Sequence, residues 1–196
     1  SSGKQGYEVA LALNKLGVKT TLVAGPSELN FSKDLKVKNV ISGEEMFSEV
    51  KKLLPVDIAI CVAAVSDFKP KFKNKKKIKK DYGDLKSINL EKNLDILEYL
   101  GKNNKTRPKI VVGFSAETED LIKNSKNKLS KKYCDLIIAN DVSSKQIGFN
   151  VDDNQVSIID KEGKVELIKK NKKSFIAKVV AKKIVEKFLI DDKNIN

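Results

Sequence analysis

The chain has 196 residues, 40% of them hydrophobic, and a formal net charge of +13 in which lysine dominates the basic side. That is enough for one domain with a sizeable core, and the basic excess points to an anionic partner (nucleic acid, an anionic membrane or a phosphorylated small molecule) or to lysine drift in a biased genome. Histidine is absent, which removes imidazole acid–base catalysis, Ser-His-Asp and Cys-His nucleophiles, and histidine metal ligands.

The chain opens Ser1-Ser2-Gly3-Lys4-Gln5-Gly6, a Gly/Ser loop. Val9, Leu13 and Leu16, with Ala10 and Ala12, then make one helical face, closed by Gly17 as a C-cap. Free amides at such a helix start favour anions. Residues 18–24 read as a strand ended by Gly25-Pro26, and 37–41 as a second, short one. Ser42-Gly43-Glu44-Glu45 resembles a capping box and starts a helix running through Leu54, which Pro55 breaks.

Residues 58–65 form a continuous apolar run, the signature of a parallel strand covered on both faces and placed centrally. Small residues, Ala63, Ala64 and Ser66, leave room for a ligand near the backbone, and the run ends at Asp67. Ligands in open α/β sheets bind at the carboxyl ends of strands, so 63–67 is a candidate site floor. A cationic stretch follows at once, from Lys71 to Lys80, and residues 69–92 read as a flap outside the main sheet. Asn93 is the expected N-cap of a short helix to Gly101. Residues 109–114 are a strand running into Ser115-Ala116-Glu117-Thr118, 119–132 a lysine-rich helix, and 135–139 a strand ending in Asn140-Asp141. Residues 155–159 and 165–168 pair as a hairpin across Lys161-Glu162-Gly163-Lys164. Ser174 caps a final helix whose stripe is Phe175, Ile176, Val179, Val180, Ile184, Val185, Phe188 and Leu189.

The expected fold is α/β, a Rossmann-like, doubly wound, mostly parallel sheet with an extended flap and a C-terminal β-hairpin plus helix, in a single domain over 1–196. A doubly wound unit normally starts with a strand before its Gly-rich loop, so a central strand upstream of residue 1 is expected to be missing. Cys61 and Cys134 lie in or beside apolar runs and read as buried free thiols. With no signal-peptide pattern and no apolar stretch near ~18 residues, a soluble, cytoplasmic protein is expected, with no membrane partner.

The ordered motifs Ser1-Ser2-Gly3-Lys4-Gln5-Gly6, Ala63-Ala64-Val65-Ser66-Asp67-Phe68, Lys77-Ile78-Lys79-Lys80, Asn93-Leu94-Asp95-Ile96-Leu97, Val112-Gly113-Phe114-Ser115-Ala116-Glu117-Thr118, Asp135-Leu136-Ile137-Ile138-Ala139-Asn140-Asp141 and Gly148-Phe149-Asn150 with Asp152-Asp153-Asn154 resemble bacterial phosphopantothenoylcysteine synthetase. The resemblance implies a ligase of coenzyme A biosynthesis that joins 4'-phosphopantothenate to L-cysteine through an acyl-cytidylate, turning CTP into CMP and pyrophosphate. It implies Mg²⁺ with the nucleotide, though no particular metal ligand, and a homodimer. It also implies a fused or associated phosphopantothenoylcysteine decarboxylase upstream, whose FMN would belong to that domain. By motif, Ala63 and Asp67 resemble the pair after the central strand, Ala63 toward the substrate or intermediate and Asp67 toward the nucleotide and its ions. Lys77 resembles the flap lysine that stabilises the activated intermediate, with Lys75 and Lys76 beside it as alternatives. Asn93, Leu94, Asp95 and Ile96 resemble the segment against the base, with Leu94 where the family usually has proline. Phe114 resembles the aromatic residue beside the base, and Lys128 and Lys132, at i and i+4, resemble triphosphate ligands. Because an asparagine that holds the acyl-nucleotide would also lie upstream, residues 1–196 alone are expected to be weak or inactive.

Three rivals are less well served. A nicotinamide-dependent oxidoreductase needs a Gly-x-Gly-x-x-Gly loop after a strand, and residues 1–6 have a different spacing. A nucleic-acid binder needs more aromatic residues among its lysines. A non-catalytic, nucleotide-binding regulatory relative is opposed by the presence of Asp67, Lys77, Lys128 and Lys132 together.

Overall fold

The computed structural model describes residues 2–72, 87–102, 105–142 and 153–193. In chain order they form α1 (Lys4–Lys15), β1 (Thr21–Ala24), β2 (Lys36–Asn39), α2 (Gly43–Leu53), β3 (Ile58–Cys61), β4 (Phe68–Pro70), β5 (Leu90–Lys92), α3 (Ile96–Lys102), β6 (Ile110–Glu117), α4 (Leu121–Lys131), β7 (Leu136–Asp141), β8 (Asp153–Asp160), β9 (Val165–Lys172) and α5 (Lys173–Lys193).

The main sheet has the order β3-β6-β7-β8-β9. Strands β3, β6 and β7 are parallel, and the C-terminal hairpin β8–β9 adds two antiparallel strands. Apolar residues pack on both faces. Ile110, Val112, Ile138 and Ile158 meet Val9 and Leu13 of α1 and Ile176, Val180 and Ile184 of α5. Val111, Ile137 and Ile159 meet Leu97 and Leu100 of α3 and Leu129 of α4, with Phe47 and Val50 of α2 at the margin. Coverage on both sides explains why β6 and β7 carry unbroken apolar runs. The open edge β9 carries Lys169, Lys170 and Lys172, charges that discourage pairing with another edge.

Strands β1 and β2 form a separate parallel pair. Among the described residues, β1 pairs with β2 alone and β3 with β6 alone. Helix α1 touches both parts of the split sheet: it contacts β1, and Gly6 lies against Val62, just past β3. Strand β3 is therefore an edge of the main sheet, not its centre, and its residues are half-buried. It is also shorter than the apolar run. Pairing with β6 ends at Cys61↔Gly113, and Ser66 Oγ then donates to the Phe68 carbonyl at 2.8 Å, turning the chain aside.

Three caps test the local reading. Ser42 Oγ accepts from Glu45 N–H at 3.2 Å, and Glu45 returns a carboxylate oxygen to Ile41 N–H at 2.9 Å, close to a capping box. Asn93 is not the cap of α3; Asp95 Oδ1 accepts the Glu98 N–H at 2.9 Å and takes that place. Ser174 does not precede α5 but lies within its first turn. The reason is that β9 continues pairing to Lys172, opposite Asp153, and the helix follows without a connection.

At the root of the expected flap, β4 and β5 form an antiparallel ribbon with Pro70 opposite Leu90. Lys69 ties it to α2 through Glu44 and to its own partner strand through Glu91 at 3.3 Å.

Candidate functional site

A cavity of about 830 Å³ opens between the ribbon, the segment leading into α3, and the end of α4. Its volume falls within the range of small-molecule sites. Asp67, Phe68, Lys92, Asn93, Leu94, Asp95, Glu98, Tyr99, Lys102 and Lys132 line it.

Backbone and amide hydrogen bonds fix its floor. The Asn93 N–H donates to the Asp67 carbonyl at 2.7 Å, and its Nδ2 donates to the Ser66 carbonyl at 3.1 Å. Asn93 Oδ1 accepts the Leu94 N–H at 3.0 Å. The chain after β3 and the chain before α3 are thereby sewn together, leaving Leu94 and the Asp67 side chain exposed.

Charge is paired across one wall. Lys132 Nζ lies 2.8 Å from Asp95 Oδ2 and 2.7 Å from Glu98 Oε2, and Lys102 Nζ lies 2.5 Å from Glu98 Oε1. Hydrogen bonds from Lys102 and then Lys132 hold the Glu98 carboxyl down at about 2. Asp95, then Glu98, raise the Lys132 ammonium above the ordinary lysine value. Gly101 makes this meeting possible: a Cβ there would sit 2.0 Å from the Lys132 carbonyl oxygen, so only glycine lets α3 end against the end of α4.

The sequence-derived candidates divide accordingly. Asp67, Asn93, Leu94, Asp95 and Lys132 share the cavity. Ala63 is exposed in the loop after β3 and is not among its lining residues. Ile96 begins α3 but is buried in the core with Leu97. Phe114 is half-buried on the α1–α5 side of β6, away from the lining. Lys128 Nζ donates to the Phe114 carbonyl at 2.8 Å, so Lys128 and Lys132 engage different groups despite their i, i+4 spacing. Lys77, with Lys75 and Lys76, lies outside the described residues. Sequence reasoning missed Glu98, Tyr99 and Lys102. With Asp95 they fall at i, i+3, i+4 and i+7, a polar stripe that marks one helix face.

The two thiols are free and inert. Burial pushes both Cys61 and Cys134 up to about 12, so neither supplies a thiolate nucleophile near neutral pH. Among the described residues no group of three or more Cys, Asp or Glu side chains is placed to hold a metal ion, and no helix is long and apolar enough to cross a membrane.

Residues 1–188 match the family described as the DNA/pantothenate metabolism flavoprotein C-terminal domain. The coenzyme A biosynthesis bifunctional protein CoaBC of Haemophilus influenzae is 40% identical over 189 residues, covering 96% of this chain and 46% of that protein. This chain thus spans about half the length of the curated relatives it matches. Among solved structures, the C-terminal domain of a coenzyme A biosynthesis bifunctional protein CoaBC superposes with a TM-score of 0.79 at 31% identity, covering 97% of this chain and 85% of that one. The DNA/pantothenate metabolism flavoprotein from Streptococcus pneumoniae shares the fold, with a TM-score of 0.75 at 22% identity over 95% of this chain and 89% of that one. A doubly wound sheet, the motifs in their expected order and a match along nearly the whole chain lead to one conclusion: the chain belongs to the DNA/pantothenate metabolism flavoprotein C-terminal domain family.

Proposed function

We propose that this domain is a phosphopantothenate–cysteine ligase that uses CTP in preference to ATP. The observation that carries the reading is the cavity, which gathers Asp67, Asn93, Leu94, Asp95 and Lys132 from three separate stretches of chain. The 31% identity to a solved CoaBC C-terminal domain supports it. In the first step the substrate carboxylate attacks the α-phosphorus of the nucleotide, pyrophosphate leaves, and an acyl-cytidylate forms. In the second, the cysteine amine attacks the acyl carbon and CMP leaves. Neither step needs an imidazole, in keeping with a chain that has none. The segment Asn93 to Asp95 sits against the base, and Lys132 meets the phosphates. Lys77 is assigned the negative charge that grows on the phosphorus. Phe114, Lys128, Ala63 and Ile96 remain candidates for the same site when it is filled.

Magnesium suits this donor set. It binds through one or two carboxylates with phosphate oxygens and waters, and Asp67 offers an exposed carboxylate at the cavity. Bound there, it would neutralise the triphosphate. FMN enters only with a decarboxylase domain upstream, which would hold it. The protein is assigned to the cytoplasm, as a homodimer.

The split between β1 and β3 supports a further point: a strand supplied from upstream completes the sheet and its site. The test is pyrophosphate release by the protein extended upstream, given phosphopantothenate with CTP or ATP before cysteine is added. Release that depends on phosphopantothenate and is faster with CTP is expected, with little or none from residues 1–196 alone. Hydride transfer to a nicotinamide, or no phosphopantothenate dependence, contradicts the ligase. Equal turnover by the two chains contradicts the need for the strand.

A further inference from the structure

The ribbon β4–β5 consists of two three-residue strands outside the main sheet. Two strands alone are marginally stable in water, so other contacts must hold this pair in place. Its register sorts its side chains. Phe68 stands opposite Lys92 and Pro70 opposite Leu90 on one side, and Phe68 and Lys92 line the cavity. Lys69 stands opposite Glu91 on the other side. From there its ammonium pairs with Glu44, in the first turn of α2, and lies 3.3 Å from Glu91. Resting on the ligase reading above, we propose that Lys69 is a positioning residue: by bridging Glu44 and Glu91 it clamps the ribbon to α2 from behind and holds Asp67, Phe68 and Lys92 in place at the cavity wall.

The helix is fixed where the clamp meets it. Hydrogen bonds between Ser42 and Glu45 N–H, and between the Glu45 carboxylate and Ile41 N–H, close the first turn of α2. Gly43 lies tight against the site: a Cβ there would stand 2.9 Å from both Asn93 Nδ2 and a Val65 methyl. Glu44 therefore projects from backbone that is already packed on the cavity floor. The hydrogen bonds of Asn93 to the Asp67 and Ser66 carbonyls secure the base of the ribbon. Lys71 N–H donates to the Asn89 carbonyl at 2.9 Å and extends the ladder, joining ribbon to ribbon. Lys69 adds a tie from ribbon to helix. Its side chain is 22% exposed, against 41% and 43% for Glu44 and Glu91, so the ammonium is the most shielded member of the trio. Hydrogen bonds to Glu44 and then to Glu91 raise it above the ordinary lysine value, which keeps its charge through the neutral range. An uncharged side chain there would remove the cation that draws the two carboxylates together, and carboxylates repel at close range.

The full-length protein carrying this domain provides the test, with CTP binding read by calorimetry, turnover by pyrophosphate release and folding by melting temperature. Lys69→Met is expected to weaken CTP binding about fivefold and to lower kcat/KM about tenfold, because small displacements of positioned groups are costly. Lys69→Arg, whose guanidinium also bridges two carboxylates, is expected to stay within about twofold of wild type in both. Glu44→Gln keeps an acceptor without the charge and should lose about threefold in both. The double variant should be no worse than Lys69→Met alone, because the two residues act as a unit. Lys52→Met, in an exposed ion pair on the same helix, should change nothing. Failure of the wild type to release pyrophosphate brings down the ligase reading and this inference with it. Normal wild-type release, with Lys69→Met unaltered in binding and turnover, overturns the inference alone, whatever the melting temperature does. A Lys69→Arg variant as impaired as Lys69→Met also overturns it, because the bridging charge is then not what acts. Should Lys69→Met not fold, the comparison passes to Glu44→Gln: the expected loss supports the clamp, and wild-type values overturn it.

Discussion

Glu98 accepts hydrogen bonds from two ammonium groups, and protonating it would break both. Its folded-state value, about 2, lies below the ordinary glutamate value near 4.3. A depressed carboxyl contributes stability above the unfolded-state value, and that contribution disappears as pH falls from about 4.5 toward 2. The effect is small, because Glu98 is about a third exposed and solvent screens the pairs. Wild type should therefore exceed Glu98→Gln in urea midpoint at pH 6, with the gap narrowing as pH falls from about 4.5 toward 2. A gap constant across that range would mean that Glu98 is not ionised in the way its partners imply. The lone arginine works differently. Arg107 donates to Asp135 at 2.8 Å and to the Gly101 and Tyr133 carbonyls, while Asp135 also accepts the Val111 N–H. It ties the end of α3 to the starts of β6 and β7, and so supports the meeting of Lys102 and Lys132 from behind.

Helix α5 is the clearest single element. Ile176, Ala177, Val180, Ala181 and Ile184 are fully buried, whereas Phe175 and Leu189 are 48% and 52% exposed. The buried residues recur at i, i+4 and i+8, the face that a helix turns to a sheet. Ile184→Ala should lower unfolding free energy by about 2–5 kcal/mol, and Leu189→Ala by no more than about 0.5 kcal/mol, as measured by urea denaturation. Equal losses would mean that the helix presents a different face.

On the scale of the whole molecule, the ribbon β4–β5 and its flanks leave large apolar side chains exposed among the described residues. Phe68, Phe72, Ile88 and Leu90 are each more than half exposed. The Pro70↔Leu90 register and the two-residue alternation of strands put them on the same side. Exposed apolar patches of this kind mark interaction surfaces. In the proposed homodimer this side would be covered by the second copy. Sedimentation should show a wild-type dimer at micromolar concentration and a shift toward monomer in Phe72→Lys; a wild-type monomer would end the assignment.

Which parts were legible follows from how far each signal reaches along the chain. Periodicity and turn chemistry are local, so the sequence alone determined the order of helices and strands, the Ser42 cap and the C-terminal hairpin. The family resemblance pointed to Asp67, Asn93 and Lys132, which line one cavity. Only the tertiary structure decided the rest. Among the described residues the main sheet stops at β3 because pairing depends on a neighbour, which an apolar run does not specify. Asp95 rather than Asn93 caps α3 because Asn93 is drawn off to the Ser66 carbonyl, 27 residues earlier. Lys132 joins Lys102 rather than Lys128 because helix spacing says which side chains are neighbours on one helix, whereas the packing of Gly101 brings a second helix within a hydrogen bond's reach.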